Sequence, residues 1–234
     1  MVGARGGIGS ALLDALVVNP AVGRVIAASR TPSESPSSKV ETVRVDVCDE
    51  TSIVELAEAC RRAGDLDLVL VATGILHDGN DLRPEKQLAD IEADKLARVF
   101  SVNSIGPIMV AKHLLPLLAR DRASVFAALS ARVGSIADNR LGGWYSYRAS
   151  KAALNMLIRT AAIELRRTHP TSLCIGLHPG TVATPLSEPF SRHADSAQVA
   201  ESRDAACRLL DVIAALGPDA SGRCYAWDGS EVPP

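Results

Sequence analysis

Apolar residues in this chain fall in short runs, separated by longer stretches in which they recur every three or four positions. The runs RVIAAS (24–29), VETVRVDV (40–47), LDLVLVA (66–72), SVFAALS (124–130) and SLCIGLH (172–178) are rich in Val, Ile, Leu and Ala. Runs of this kind predict parallel strands buried on both faces. Residues 8–18, 51–63, 88–119, 147–168 and 197–215 carry the helical period between them. In the fourth of these, Leu154, Leu157, Ile158, Ala161 and Leu165 make one apolar stripe. Alternating strands and helices predict an α/β fold, a doubly wound parallel sheet with right-handed crossovers and helices on both faces. The segment TPSESPSSK (31–39) reads as a surface loop standing where a crossover helix belongs. It is too short to divide the chain, so residues 1–234 are expected to form one domain.

Composition narrows the function. The chain has 234 residues, 47% of them hydrophobic but only 3% aromatic, so its core is expected to be aliphatic. A formal charge of -2 gives no electrostatic grip on nucleic acid. The five cysteines, 48, 60, 174, 207 and 224, are scattered and never spaced as CxxC. That distribution suits reduced thiols in a cytoplasm better than disulfides or a zinc site. No basic-then-apolar leader and no long apolar run points to a membrane. The five histidines show no metal-ligand spacing; His77 and His193 remain candidates for a substrate pocket, a surface role being the simpler reading. No GxSxG is present, so a hydrolase nucleophile elbow is excluded.

The candidate chemistry begins at residue 3. Gly3, Gly7 and Gly9 in GARGGIG stand directly before a helical pattern. Glycines there let backbone N–H groups and a helix N-terminus approach a pyrophosphate, although alone the spacing also describes a flexible turn. At the end of the second strand, where an acidic residue would accept from the ribose 2′-hydroxyl of NAD, the chain has Ser29 and Arg30, with Arg5 in the loop itself. Guanidinium groups suit a 2′-phosphate, so NADP(H) is favoured over NAD(H).

The second motif lies in WYSYRASKAALN. Tyr147 and Lys151 are four apart on a predicted helix and share a face. A nearby ammonium favours the phenolate and makes such a pair an acid–base device near neutral pH. Tyr145 has Ala149 at the corresponding place. Taken alone, the pair is equally an ordinary amphipathic helix surface.

Together these motifs make the chain resemble the short-chain dehydrogenase/reductase family, with a Rossmann-like fold, over essentially its full length. The GxxxGxG loop matches Gly3, Gly7 and Gly9, and the aspartate after the third strand matches Asp46 in VDVCD. Asn103 in VNSIG, the YxxxK of Tyr147 and Lys151, and PGTVAT (179–184) follow in the family's order. LGGWYSYRASKAALN and SGRCYAWDG further resemble its C-factor and sniffer-like carbonyl reductase branch. The resemblance implies hydride transfer between nicotinamide and a carbonyl or alcohol substrate, with Tyr147 giving the proton. It also implies that Lys151 tunes Tyr147 and bonds the ribose, and that Asn103 holds a water. The cofactor set it implies is Gly3, Arg5, Gly7, Ile8, Gly9, Ser29, Arg30, Asp46, Val47, Gly74, Pro179, Gly180, Val182 and Thr184, with Tyr147 and Lys151. No metal is expected. A homodimer or homotetramer is implied, packed through the helix around 88–119 and the helix that starts at Tyr147.

Three departures stand out. The family's double serine reads LSARVGS here, which puts Ala131 at the place of the serine that orients the carbonyl; Ser130 is named for that role, with Ser135 the alternative. The usual NNAG reads VATG, in which only Gly74 matches. Of the first strand only Met1 and Val2 precede the glycine loop, so that strand reads as truncated, and the natural chain is expected to begin upstream with an apolar segment. A dinucleotide-binding regulatory or signalling protein with little turnover is the alternative function.

Overall fold

The computed structural model describes residues 1–33, 37–79, 81–191 and 199–234. His193 lies outside the described residues.

The apolar runs form the expected parallel strands: β1 (Val25–Ser29), β2 (Val40–Arg44), β3 (Leu68–Val71), β4 (Val125–Leu129) and β5 (Leu173–His178). A sixth parallel strand, β8 (Cys224–Ala226), was not expected from the pattern; it is only three residues long and pairs with the end of β5. Two short strands, β6 (Thr181–Val182) and β7 (Val199–Ala200), make a separate parallel pair. In the main sheet β1 pairs with β2, and β3, β4, β5 and β8 follow one another in space.

Val2 joins the two parts. It bridges Ala28 of β1 on one side and Val71 of β3 on the other. Its N–H donates to Leu70 O at 2.7 Å and its carbonyl accepts from Ala72 N at 2.8 Å, while Ala28 N reaches Met1 O at 2.8 Å. The sheet order is therefore β2, β1, Val2, β3, β4, β5, β8. Below Val2, β1 and β3 flank a cavity of about 350 Å³ lined by Met1, Ile26, Leu56, Cys60 and Leu70, among others.

Helices cover both faces. α1 (Gly7–Val18) and α7 (Ser202–Ala215) pack with Leu12, Leu16, Leu209 and Val212 against Leu70, Ile175 and Leu177. On the other face, α2 (Glu50–Ala63) and α5 (Tyr145–Leu165) bring Ile53, Leu56, Leu154 and Ile158 against Val69, Val71 and Phe126. A 14-residue α2 stops at Gly64, whose φ of 104° few other residues adopt.

The helix expected over 88–119 is instead interrupted. It runs as α3 (Ala93–Phe100), a π-helical stretch at Ser101–Ile105, and α4 (Gly106–Leu114). Pro107 has no N–H to donate, so the helical ladder loses a bond where the π-helical stretch passes into α4. Gly106 allows this turn to press on the loop after β2, since a Cβ there would lie 2.7 Å from Val47 Cγ2. Among the described residues, no helix is long and apolar enough to cross a membrane.

Candidate active site

Reversal of strand order around Val2 opens a crevice at the carboxyl ends of β1 and β3, where open α/β sheets bind ligands. Gly3 turns out of the Val2 bridge at φ 83°, and a Cβ on it would lie 2.9 Å from the Ala72 carbonyl. Gly9 packs under the loop, because a Cβ there would sit 2.0 Å from Gly3 O. Gly7 meets the later loop, with Thr184 Cγ2 only 2.5 Å from where its Cβ would be. Each close approach brings α1's start toward the crevice. Gly6 caps α1 without a side-chain hydrogen bond, which leaves first-turn N–H groups for another acceptor.

The crevice encloses about 610 Å³ and is lined by Gly3, Arg5, Ser29, Arg30, Asp46, Val47 and Gly74 of the expected set. Ile8 instead packs on the core beneath, Val182 is buried, and Gly180 backs onto the Trp227 ring. Pro179 is likewise absent from the lining. Arg5 donates to Thr31 O at 2.7 Å and to Thr31 Oγ1 at 3.1 Å, which holds it beside Arg30 at the end of β1. Asp46 closes its own turn by accepting from Cys48 N at 3.0 Å.

Thr31, Thr73 and Ile75 also line the crevice and were not foreseen; Leu186 lines it as well. Thr73 carries a buried hydroxyl oxygen without a hydrogen-bond partner. With the glycine cradles, the uncapped α1 start and the two arginines, that orphan fits a dinucleotide. Arg5 and Arg30 would face the adenosine ribose end, and Gly74 and Leu186 the nicotinamide end.

Gly74 also marks where the crevice meets the chemistry. A Cβ there would lie 3.6 Å from Asn103 Oδ1 and 3.8 Å from Lys151 Nζ. The π-helical turn aims Asn103 inward, a device frequent at functional sites. Asn103 is fully buried; its Oδ1 accepts from Ile75 N at 2.7 Å, and its Nδ2 donates to Ile75 O at 2.9 Å and Ser150 Oγ at 3.1 Å. Ser104 Oγ donates to Ser150 O at 2.7 Å. These bonds tie the loop after β3 to α5 beside Tyr147.

Lys151 is 2% exposed and donates from Nζ to Leu129 O at 2.8 Å. Gly134 permits the turn after β4 to cover it, since a Cβ there would lie 2.7 Å from Lys151 Cβ. Desolvation lowers its pKa to about 8. Nζ lies 5.8 Å from the Tyr147 ring centroid. Burial pushes the Tyr147 phenol up to about 12, although the residue keeps some exposure to the cleft. The lowered phenol pKa expected from the lysine is thus not what this geometry gives: burial raises it instead.

Neither candidate serine joins Tyr147. Ser130 Oγ donates to Asn155 Oδ1 at 2.6 Å, whereas Ser135 Oγ donates to Pro234 O at 3.3 Å and accepts from Asp138 N at 3.0 Å. Ala131 stands between them, 8% exposed. An aromatic group was also missed by the sequence reading: Trp144 lies edge-on to Tyr147 with ring centroids 6.2 Å apart. Among the described residues, no group of His, Cys, Asp and Glu is arranged to hold a metal ion.

The sequence profile of the short chain dehydrogenase family matches residues 1–195, and the chain belongs to that family. It is 38% identical over 146 residues to C-signal of Myxococcus xanthus, covering 62% of this chain and 82% of that protein. It is 32% identical over 188 residues to the 1-hydroxy-2-glutathionyl-2-methyl-3-butene dehydrogenase of Rhodococcus sp. (strain AD45), covering 80% of this chain and 76% of that enzyme. An NADPH-bound carbonyl reductase from chicken fatty liver shares the fold, with a TM-score of 0.85 at 24% identity over 99% of this chain and 96% of its own. The chain is therefore an NAD(P)-dependent oxidoreductase of the short-chain dehydrogenase/reductase class. Membership of this class favours turnover over a purely regulatory role.

Buried Lys151 makes stability depend on pH in a defined window. Below about pH 8 it is protonated in folded and unfolded chains alike. From there to its ordinary value of 10.5 the folded protein has lost that proton while the unfolded chain still holds it. The unfolded state then binds more protons, so stability rises with pH. Denaturant unfolding should show wild type gaining on Lys151→Met between pH 8 and 10, with a constant difference from pH 6 to 7. A difference that stays constant or shrinks over the upper range contradicts the burial of a readily deprotonated lysine.

Proposed function

We propose that the chain is an NADP-preferring reductase of small carbonyl compounds, in which Tyr147 is the proton donor. The observation that carries this reading is the meeting of crevice and helix at Gly74, beside Lys151 Nζ and Asn103 Oδ1. NADPH, when bound, supplies the hydride. Tyr147 gives its proton to the carbonyl oxygen as the carbonyl carbon is reduced, which leaves an alcohol and a phenolate. At a pKa of about 12 the phenol stays protonated at neutral pH until charge develops on the substrate oxygen. Lys151, an ammonium at that pH, stabilises the phenolate through the field it adds to the same enclosed site. Asn103 keeps Ile75 and α5 in register beside the reacting atoms. Ser130 is the remaining candidate for a carbonyl donor, and its bond to Asn155 must exchange before it plays that part.

The preference for NADP rests on Arg5, in the glycine loop, and Arg30, just after β1, which line the crevice together. The chicken carbonyl reductase, with its bound NADPH, supports the same reading. We further propose a homodimer or homotetramer packed through the helical run that ends in α4 and through α5, on which Met156 and Ile163 are exposed. The five free thiols suit a reducing cytoplasm.

With a panel of aldehydes and ketones, Tyr147→Phe should lower NADPH-dependent reduction by about 10²–10⁴-fold and leave NADPH binding nearly intact. More than about a tenth of the wild-type rate would remove Tyr147 from the proton step. NADPH should bind more tightly than NADH, and Arg30→Asp should erase or invert that order; equal affinities in the wild type would end the NADP assignment. Sedimentation at micromolar concentration should give two or four chain masses, and a single-chain mass would refute the assembly.

A further inference from the structure

Trp144 is the one described residue other than glycine with a positive φ, at 53°. A bulky side chain in the left-handed region is strained and persists only where its surroundings impose it. Gly142 and Gly143, at φ 63° and 64°, lead the chain into this turn. Trp144 N–H donates to Glu85 O at 2.5 Å, and the Glu85 carboxylate, 6% exposed, accepts from Ser146 N at 3.2 Å and from Ser146 Oγ. The residue before the catalytic helix is thus held from outside, by the loop that follows β3.

The consequence is the direction of the indole. Its ring meets Phe190 at 5.1 Å and 63°, and Tyr147 at 6.2 Å and 81°. His77 extends the group, edge-on to Phe190 at 5.6 Å, and its Nε2 contacts Pro185 O at 2.9 Å. The chain has only two Trp, three Tyr and three Phe, so the gathering of Trp144, Tyr147 and Phe190 at one place is not a sample of its general core. Trp144, Phe190 and His77 are all half-buried, so this wall retains open faces at the mouth of the site. His77 lines both the dinucleotide crevice and a neighbouring cavity of about 740 Å³, to which Phe190 and Pro84 also contribute.

We propose that Trp144 is a specificity-determining residue whose indole, with Phe190, receives the flat ring of an aromatic carbonyl compound beside Tyr147. The proposal rests on the reductase reading above. Aromatic rings attract each other in edge-to-face and offset arrangements beyond what burial alone supplies, so the wall distinguishes a flat ring from a saturated one of similar size.

Benzaldehyde and cyclohexanecarbaldehyde make that comparison. Wild type, Trp144→Leu and Trp144→Phe are assayed with NADPH, and quenching of intrinsic fluorescence by benzaldehyde is titrated in the presence of NADP⁺. The kcat/KM ratio of benzaldehyde to cyclohexanecarbaldehyde should fall about tenfold in Trp144→Leu, chiefly through KM, and return largely in Trp144→Phe. Quenching should saturate in the wild type and vanish in Trp144→Leu. An unchanged ratio, or equal losses for both aldehydes, would overturn the assignment, the second by reducing Trp144 to a structural support. If neither aldehyde is reduced by the wild type, the reductase reading fails for these substrates; saturable quenching lost with Trp144 still supports the aromatic site, and its absence overturns it.

Discussion

Everything in the site depends on one residue of ladder. Val2 is inserted between Ala28 and Val71; its own N–H and carbonyl pair with β3, while Met1 O and Gly3 N on either side of it pair with Ala28 of β1. Each such bond contributes on the order of 1 kcal/mol net, but leaving the buried groups unpaired would cost more. Position matters as much as energy. Gly3 leaves the bridge at a left-handed φ and passes within contact of Ala72, which fixes the start of α1 over the carboxyl ends of β1 and β3. Displacing Val2 would move the glycine loop, Arg5 and the crevice together.

The second constraint is a buried ammonium. Lys151 is covered by the turn at Gly134 and held by Leu129 O, so α5 is locked to the end of β4. Tyr147 rides on the preceding turn of the same helix. Asn103, Ser104 and Ser150 then lock α5 to the π-helical turn and to Ile75. The result is a proton-bearing phenol in a low-dielectric site whose neighbours are fixed before any substrate arrives, the kind of preorganisation on which enzyme electrostatics depends.

Much of this was legible in the chain. Buried parallel strands have no polar face, so apolar runs revealed β1, β3, β4 and β5; β2 was found within VETVRVDV although none of its residues is buried, and Cys224–Ala226 is too short to announce itself. YxxxK, the glycine loop and the position of Asn103 are local patterns and were found. The break at Ser101–Ile105 was not, because a π-helical turn leaves the apolar period nearly intact. Ser130 looked available because a sequence shows a hydroxyl but not its partner, Asn155. Trp144 was missed for a related reason: its direction is set by Glu85, far away in sequence.

The central claim is that this cleft moves a hydride to a carbonyl carbon next to a proton from the protein. NADPH carrying deuterium on one face of C4, prepared separately for each face, tests it directly with an aldehyde or ketone that the protein reduces. Mass spectrometry and NMR of the alcohol should find one deuterium at the former carbonyl carbon from one labelled face and none from the other. An alcohol without deuterium from either label, or with deuterium from both, would contradict the account.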